Sequence, residues 1–157
     1  MKITIQSIFF LFLCANLMVC GMESHAATIK VGPAERIKSL QEAIRMARPY
    51  DTLRVQGGIY REGNISIDKP LVLLGIGRPE LDGEKKHEPL SIRSPYVTVK
   101  GFVIRASGHS SMNDIAGIKI YNTHSITITD NVLEDNFFGI YGQGAWNCTI
   151  TGNKLTA

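Results

Sequence analysis

The stretch TITDNVL at residues 127–133 returns as TITGNKL at residues 149–155, an offset of 22 in the numbering. The two copies share Thr, Ile, Thr, Asn and Leu in the same order. The pair Gly-Ile at residues 117–118 also returns at the same offset, at 139–140. A repeat of this length that contains short alternating strands and turn residues, but no helix, predicts the coils of a parallel β-solenoid.

Earlier segments fit the same frame. Residues 97–104 (VTVKGFVI) and residues 70–75 (PLVLLG) show the same turn-and-strand pattern, although the offset from one coil to the next is not constant along the chain. In such a stack, Asn131 and Asn153 occupy one turn position, where their amides are expected to hydrogen-bond along the axis as a ladder. A barrel or sandwich would instead predict hairpin turns such as Asn-Gly, and the sequence contains none.

One segment has helical periodicity. Ser39 followed by Glu42 is a capping-box pattern, and the apolar residues behind it recur at helical spacing until Pro49. The sequence therefore predicts a short helix over residues 40–48. We expect this helix to cover the first coil, whose strand edges would otherwise be open to aggregation.

Composition limits the function classes. The chain has 157 residues, about one domain, with 44% apolar and 20% charged residues, which suits a packed core. The net charge of +3 is small, and aromatic residues, at 8%, are not interleaved with basic ones. These features argue against a nucleic-acid partner.

Residues 1–26 have the pattern of a secretory signal peptide. Lys2 precedes an apolar run over residues 8–19, which is shorter than the roughly 20 residues of a membrane-spanning helix, and small residues suit cleavage before Ala27. Residues 27–157 would then form the β-helix domain. Two alternatives stay open: the run is kept as an N-terminal anchor, or Cys20 becomes a lipidated N-terminus.

Cysteine usage agrees with export without disulfides. Of the three cysteines, Cys14 and Cys20 fall in the signal segment and only Cys148 remains. A single thiol cannot form an internal bridge. We expect Cys148 to be a small core residue.

The chain resembles known families in two steps. Residues 40–44 (LQEAI), 51–55 (DTLRV) and 58–61 (GIYR) look like the capping helix and first coil of right-handed parallel β-helix proteins with the pectin-lyase-like fold. Later segments are similar to the NosD family, the periplasmic maturation factors for the copper sites of nitrous oxide reductase. These segments are residues 74–75, 81–83, 97–104, 107–118, 135–141 and 152–153.

The resemblance implies a fold and a role. It implies an all-β, right-handed parallel β-helix of about five coils with a short N-terminal capping helix. The implied role is non-enzymatic: a periplasmic or secreted accessory protein for copper-site assembly that recognises nitrous oxide reductase or a copper chaperone. It would work beside an ABC-type transporter and contact the membrane only through partners. Family members are longer solenoids, so residues 27–157 are expected to be the N-terminal part of one, and a non-functional truncated copy is an alternative.

Copper donors are few. Imidazole and thioether suit copper, and His109 and Met112 stand in one predicted loop, with His124 just before the next coil. We take these three as candidate copper ligands. A polar loop that binds no metal is the alternative, since the chain has no Cys-x-x-Cys, His-x-His or Met-rich run.

A second class of function is binding or modification of carbohydrate. Catalysis of that kind needs paired carboxylates or a carboxylate with a basic group on an exposed face, and Asp114, Asp130, Glu134 and Asp135 are available. However, Asp130 aligns with Gly152 of the next coil, and Glu134 and Asp135 follow a strand, so these three are interpreted as turn residues. The chain is therefore predicted not to be an enzyme.

Aromatic residues concentrate in the last coils, at Tyr121, Phe137, Phe138, Tyr141 and Trp146. Stacking inside the solenoid is the favoured interpretation. An exposed strip that docks a protein or a sugar is the alternative.

Overall fold

The structure is a computed structural model that describes residues 26–110 and 112–156. The predicted signal peptide over residues 1–26 and the alternative lipidation site at Cys20 lie outside the described residues, apart from residue 26 itself.

The described residues form fifteen short strands and one short helix. The helix is α1 (Leu40–Met46). The strands are β1 (Thr28–Val31), β2 (Thr52–Gln56), β3 (Ile59–Tyr60), β4 (Ile65–Ile67), β5 (Val72–Ile76), β6 (Glu80–Asp82), β7 (Leu90–Ile92), β8 (Thr98–Lys100), β9 (Val103–Arg105), β10 (Ala116–Tyr121), β11 (Thr127–Thr129), β12 (Val132–Glu134), β13 (Phe138–Gln143), β14 (Thr149–Thr151) and β15 (Lys154–Thr156).

These strands build three parallel sheets that run along one axis. The first sheet has the order β1-β2-β5-β8-β11-β14, the second β3-β6-β9-β12-β15 and the third β4-β7-β10-β13. Every strand therefore pairs with its equivalents in the coils before and after it, and the chain visits the three sheets in turn. This confirms the predicted parallel β-solenoid and excludes the hairpin-based alternatives.

The core is a set of ladders of identical or similar apolar residues. In the first sheet, Leu53, Leu73, Val99 and Ile128 are paired in successive coils, and all four are fully buried. Comparable inward columns run through the other two sheets. Each coil thus buries its apolar face only because the next coil covers it, so stability comes from stacking rather than from any single coil.

The predicted asparagine ladder is present. Nδ2 of Asn131 donates to Oδ1 of Asn153 at 3.0 Å, and the strands that carry the repeated Thr-Ile-Thr pair residue for residue at the offset of 22. The same position in the preceding coil is Phe102, whose backbone N–H donates to Oδ1 of Asn131 at 3.0 Å.

Helix α1 begins where it was predicted and ends two residues earlier. The hydroxyl of Ser39 accepts a hydrogen bond from the backbone N–H of Glu42, as in a capping box. Glu62, from the following coil, also caps the helix and accepts from the backbone N–H groups of Leu40 and Gln41 at 2.8 and 2.9 Å. At the other end, Ala47 is already extended, with φ −64° and ψ 145°, two residues before Pro49.

The structure has about six turns, whereas about five were predicted. The difference arises at the start, where β1 adds a rung to the first sheet ahead of α1. Within the described residues, none of the helical structure has the length and apolar character needed to cross a bilayer.

Candidate functional site

The outer face of the third sheet carries an unusual polar column. Ser66, Ser91, Lys119 and Tyr141 occupy equivalent positions in four successive coils. Their neighbours along the strands point inward to the core, so these side chains belong to the outside of the solenoid. Even so, Lys119 is only 5% exposed. A lysine that is almost fully buried on an outer face must be covered by another part of the chain.

The segment between β9 and β10 covers it. Nζ of Lys119 donates to the backbone carbonyl of Asn113, in this segment, at 2.6 Å. The ammonium also lies 4.9 Å from the ring centroid of Tyr121 and 5.3 Å from that of Tyr141. Among the described residues, no carboxylate lies within 4.0 Å of it. Ring faces and a carbonyl therefore replace the water that Lys119 loses.

A buried carboxylate lies in the same network. Glu88 accepts hydrogen bonds from the hydroxyl of Tyr121 at 3.2 Å to each oxygen and from the hydroxyl of Ser91. The guanidinium of Arg93 lies over the ring of the same Tyr121, with its Cζ 3.8 Å from the ring centroid. Tyr121 therefore links one carboxylate and two cations, Lys119 and Arg93, on one patch of the sheet.

Tyr141 makes a second contact that holds the covering segment against the sheet. Its hydroxyl donates to Oδ2 of Asp114 at 3.0 Å. This hydrogen bond, together with the negative charge of Asp114, raises the pKa of Tyr141 above its usual value. The phenol consequently stays protonated and keeps donating at neutral pH. The segment is thus held to β10 and β13 by Lys119 on one side and Tyr141 on the other.

The three candidate copper ligands fall into two places. His109 and Met112 both lie in this covering segment. The His109 ring contacts Phe137, with 4.1 Å between the ring centroids, while the side chain of Met112 is 92% exposed. His124 instead follows β10. In the chain, strand β10 lies between the two places.

The donor types suit copper, but the arrangement does not form one closed centre. Across residues 26–110 and 112–156, no three His, Cys, Asp or Glu side chains lie close enough together to hold a metal ion. His109 and Met112 form an exposed pair of soft and borderline donors in one loop. His124 is separate, with its Nδ1 3.0 Å from the hydroxyl of Ser125. Copper binding by these residues stays a prediction.

The four carboxylates considered for carbohydrate chemistry are dispersed. Asp130 and Asp135 have φ angles of 56° and 51°, in the left-handed region typical of turns. Each forms a surface ion pair at 3.2 Å, Asp130 with Lys100 and Asp135 with Lys85. Asp114 is engaged by Tyr141, as described above. Glu134 is the last residue of β12. The interpretation of Asp130 and Asp135 as turn residues agrees with the backbone, whereas that of Glu134 is wrong because Glu134 belongs to strand β12.

The aromatic residues are outside the core rather than stacked within it. Tyr121, Phe137, Phe138, Tyr141 and Trp146 are all at least partly exposed. Phe137, Phe138 and Tyr141 contact one another in sequence, with centroid distances of 4.6 and 5.5 Å. The favoured interpretation was therefore wrong for Tyr141, which pairs with Lys119 on the outer face. Phe138 pairs with the buried Ala116, in register with Ile118 and Ile140, but is 38% exposed. Cys148, expected in the core, is partly buried and packs against its edge.

Several residues of this surface were not predicted. Lys119 and Glu88 look like ordinary solvated charges in the sequence, because burial by a loop leaves no periodic signal. Arg93 is exposed, but the sequence does not show that it lies over the ring of Tyr121. Tyr96 and His124 were not recognised as neighbours of Trp146. One signal was available, since His124 and Trp146 stand at the same offset in the numbering as the two copies of the Thr-Ile-Thr repeat.

Comparison with known proteins agrees with this architecture. A family model described as "Periplasmic copper-binding protein (NosD)" matches residues 80–157, which is the part of the solenoid from β6 onward. No curated protein and no solved structure matches the chain significantly. With the family match and three parallel sheets in the order required by a solenoid, the chain is a NosD-like parallel β-helix protein.

Proposed function

We propose that this protein is an exported accessory factor for copper-site assembly of nitrous oxide reductase, and that it acts by recognising protein partners beside an ABC-type transporter. The observation that carries the proposal is the match of residues 80–157 to the NosD family, whose description is periplasmic and copper-binding. The protein is proposed to be non-enzymatic, with the reductase or a copper chaperone as its partner.

The architecture supports a recognition role. Parallel stacking fixes every coil to its neighbours, so the corners and loops are presented on a rigid wall. One of these loops is the segment between β9 and β10, which Lys119 and Tyr141 hold in place and which carries His109 and Met112. An exposed imidazole and thioether suit transient contact with Cu(I), which exchanges between soft ligands.

Genetic rescue tests the role. The chain is expressed with its own N-terminus in a cell that lacks its NosD protein, and the copper content of purified nitrous oxide reductase is measured. The proposal predicts restored copper loading, and a reductase that stays copper-free would contradict it for this chain. Wild-type NosD in the same cell is the positive control.

A Cu(I) titration tests the copper contact separately. We expect His109→Ala and Met112→Ala to weaken Cu(I) binding, and the double variant to be non-additive, because both donors lie in one loop. His124→Ala should act independently of them. Met46→Ala is the matched control, since its side chain is 61% exposed and lies at the end of helix α1. Equal affinity in all variants would assign any copper contact to other residues.

A further inference from the structure

Three aromatic rings form a continuous strip along one corner of the solenoid. Tyr96, His124 and Trp146 each follow a strand of the third sheet and precede a strand of the first sheet, in three successive coils. The Tyr96 and His124 ring centroids are 5.5 Å apart, and those of His124 and Trp146 are 4.9 Å apart. We call these three residues the corner strip.

The coil backbone places these rings in line. The backbone N–H of Tyr96 donates to the carbonyl of His124 at 3.4 Å, and His124 forms a parallel bridge with Trp146. The strip therefore runs parallel to the solenoid axis. Because the backbone of each coil is fixed by the next, the rings are presented with little freedom to lose on binding.

The strip is exposed rather than part of the core. Tyr96 is 55% and Trp146 is 57% exposed. Moreover, Tyr96 has a φ of 59°, a left-handed conformation that this corner also requires at Ser125 and Asn147. Asparagine tolerates that conformation, whereas a bulky ring is disfavoured there. The tyrosine side chain thus contributes neither to the turn nor to the core, which points to a role on the surface.

The exposed charge beside the strip is positive, because Glu88, the carboxylate that accepts from Tyr121, is buried. The three corner segments, residues 93–96, 121–125 and 143–147, contain Arg93 and His124 but no Asp or Glu. The exposed guanidinium of Arg93 is held on the face of Tyr121, beside the strip. Trp, Tyr and Arg are the residue types that dominate binding energy at protein interfaces, and a cationic edge complements an acidic partner.

We propose that the corner strip, together with Arg93, is the docking site for an acidic face of nitrous oxide reductase. This inference rests on the proposed function, because it assigns a surface to the recognition that the function requires. The partner's apolar groups would cover the Tyr96 and Trp146 rings, and its carboxylates would pair with Arg93.

Binding of the full chain to copper-free nitrous oxide reductase tests the inference. We expect Trp146→Ala and Tyr96→Ala each to weaken binding by roughly tenfold or more, as for hot-spot aromatics. Arg93→Gln should reduce the dependence of binding on salt. Tyr50→Ala is the matched control, since Tyr50 is 59% exposed and has a φ of 72° at an equivalent corner near helix α1. Thermal unfolding of each variant checks that the fold is kept.

The outcomes separate the two claims. If the wild-type chain binds the reductase and supports its copper loading, but the strip variants bind equally well, the inference fails and the proposed function stands. If the wild-type chain neither binds nor supports loading, the proposed function fails and takes the inference with it. Strip-dependent binding to an acidic polysaccharide such as polygalacturonate, without binding to the reductase, would overturn the assignment of a protein partner.

Discussion

Asn131 and Asn153 are joined across successive coils by a hydrogen bond of 3.0 Å from Nδ2 of Asn131 to Oδ1 of Asn153. Asn131 also donates to the carbonyl of Val99 and accepts from the backbone N–H of Phe102, each at 3.0 Å. The side chain of one buried asparagine therefore satisfies two backbone groups of the preceding coil, and the side chain of Asn153 in the next coil accepts from the backbone N–H of Asn131. Such groups would otherwise be buried without partners.

Asn131→Ala is expected to lower the free energy of unfolding by about 2–4 kcal/mol, because it leaves the Phe102 N–H and the Val99 carbonyl unpaired in the core. Denaturant unfolding followed by circular dichroism measures this. Asn153→Ala is the graded control: Asn153 is less buried, so water can replace more of its contacts and the loss should be smaller. Equal losses in the two variants would contradict a role based on burial.

The asparagine ladder could be predicted from the sequence, whereas the burial of Lys119 could not. A repeat at an offset of 22 places Asn131 over Asn153, because parallel pairing brings residues at the repeat distance together. The same alternation puts Lys119 on the outer face, where the sequence implies a solvated lysine. Its burial depends on how the β9–β10 segment folds back, and loop conformation leaves no periodic pattern. Likewise, the sequence identifies His109 and His124 as residues that can bind copper, but it does not show how far apart they lie in the fold.

The Lys119 contact predicts a local rather than a global effect of substitution. Lys119→Met removes the hydrogen bond to Asn113 and the contacts with two tyrosine rings. It also removes the desolvation penalty of a buried ammonium, which is of comparable size. The free energy of unfolding should therefore change by less than about 1.5 kcal/mol, while limited proteolysis within residues 107–115 becomes faster.

The exposed Lys100, which pairs with Asp130 on the surface, supplies the control for that experiment. Lys100→Met should leave cleavage of residues 107–115 unchanged. A global loss of stability in Lys119→Met, with no change in cleavage, would show that Lys119 does not hold the segment.

Glu62 should stabilise helix α1 from outside the helix. Its carboxylate accepts from the hydroxyl of Ser39 at 2.6 Å and from two backbone N–H groups at the helix start. Glu62→Gln replaces one acceptor oxygen by a donor and removes the charge that favours a helix N-terminus. We expect the free energy of unfolding to fall by about 1–3 kcal/mol. Glu42→Gln, at an exposed position in the first turn, should have a much smaller effect, and similar losses would contradict this assignment.

Gly75 is required by the closeness of the coils rather than by its own backbone angles. A Cβ at this position would lie 2.9 Å from Cδ of Pro79 and 2.7 Å from the carbonyl carbon of Gly101. Gly75→Ala must therefore push two coils apart, and we expect a loss of about 1–3 kcal/mol in the free energy of unfolding. Gly142→Ala is the control, because its nearest contact would be Ala145 at 3.3 Å. A neutral Gly75→Ala would mean that the coils separate easily at this corner.

The Tyr141–Asp114 pair predicts a pH dependence at alkaline pH. Because Asp114 raises the pKa of Tyr141, the folded protein holds its phenolic proton more tightly than the unfolded chain does. Stability from this pair is therefore complete below the usual tyrosine pKa of about 10 and is lost as the pH rises through the higher folded value. Ultraviolet difference titration should therefore show Tyr141 ionising late. The pKa of Tyr60 is also raised, mainly by burial. Variants are therefore needed to distinguish the ionisation of Tyr141 from that of Tyr60.

Asp114→Asn separates them, since it removes the charge next to Tyr141 and leaves Tyr60 unchanged. In this variant Tyr141 should no longer ionise late. The hydrogen bond between Tyr141 and the β9–β10 segment should also weaken, so proteolysis of residues 107–115 should become faster. Tyr60→Phe should remove the other late transition without affecting that segment, because Tyr60 donates to the carbonyl of Gln56 in the first full coil. An unchanged titration in Asp114→Asn would show that the hydrogen bond between Tyr141 and Asp114 does not persist in solution.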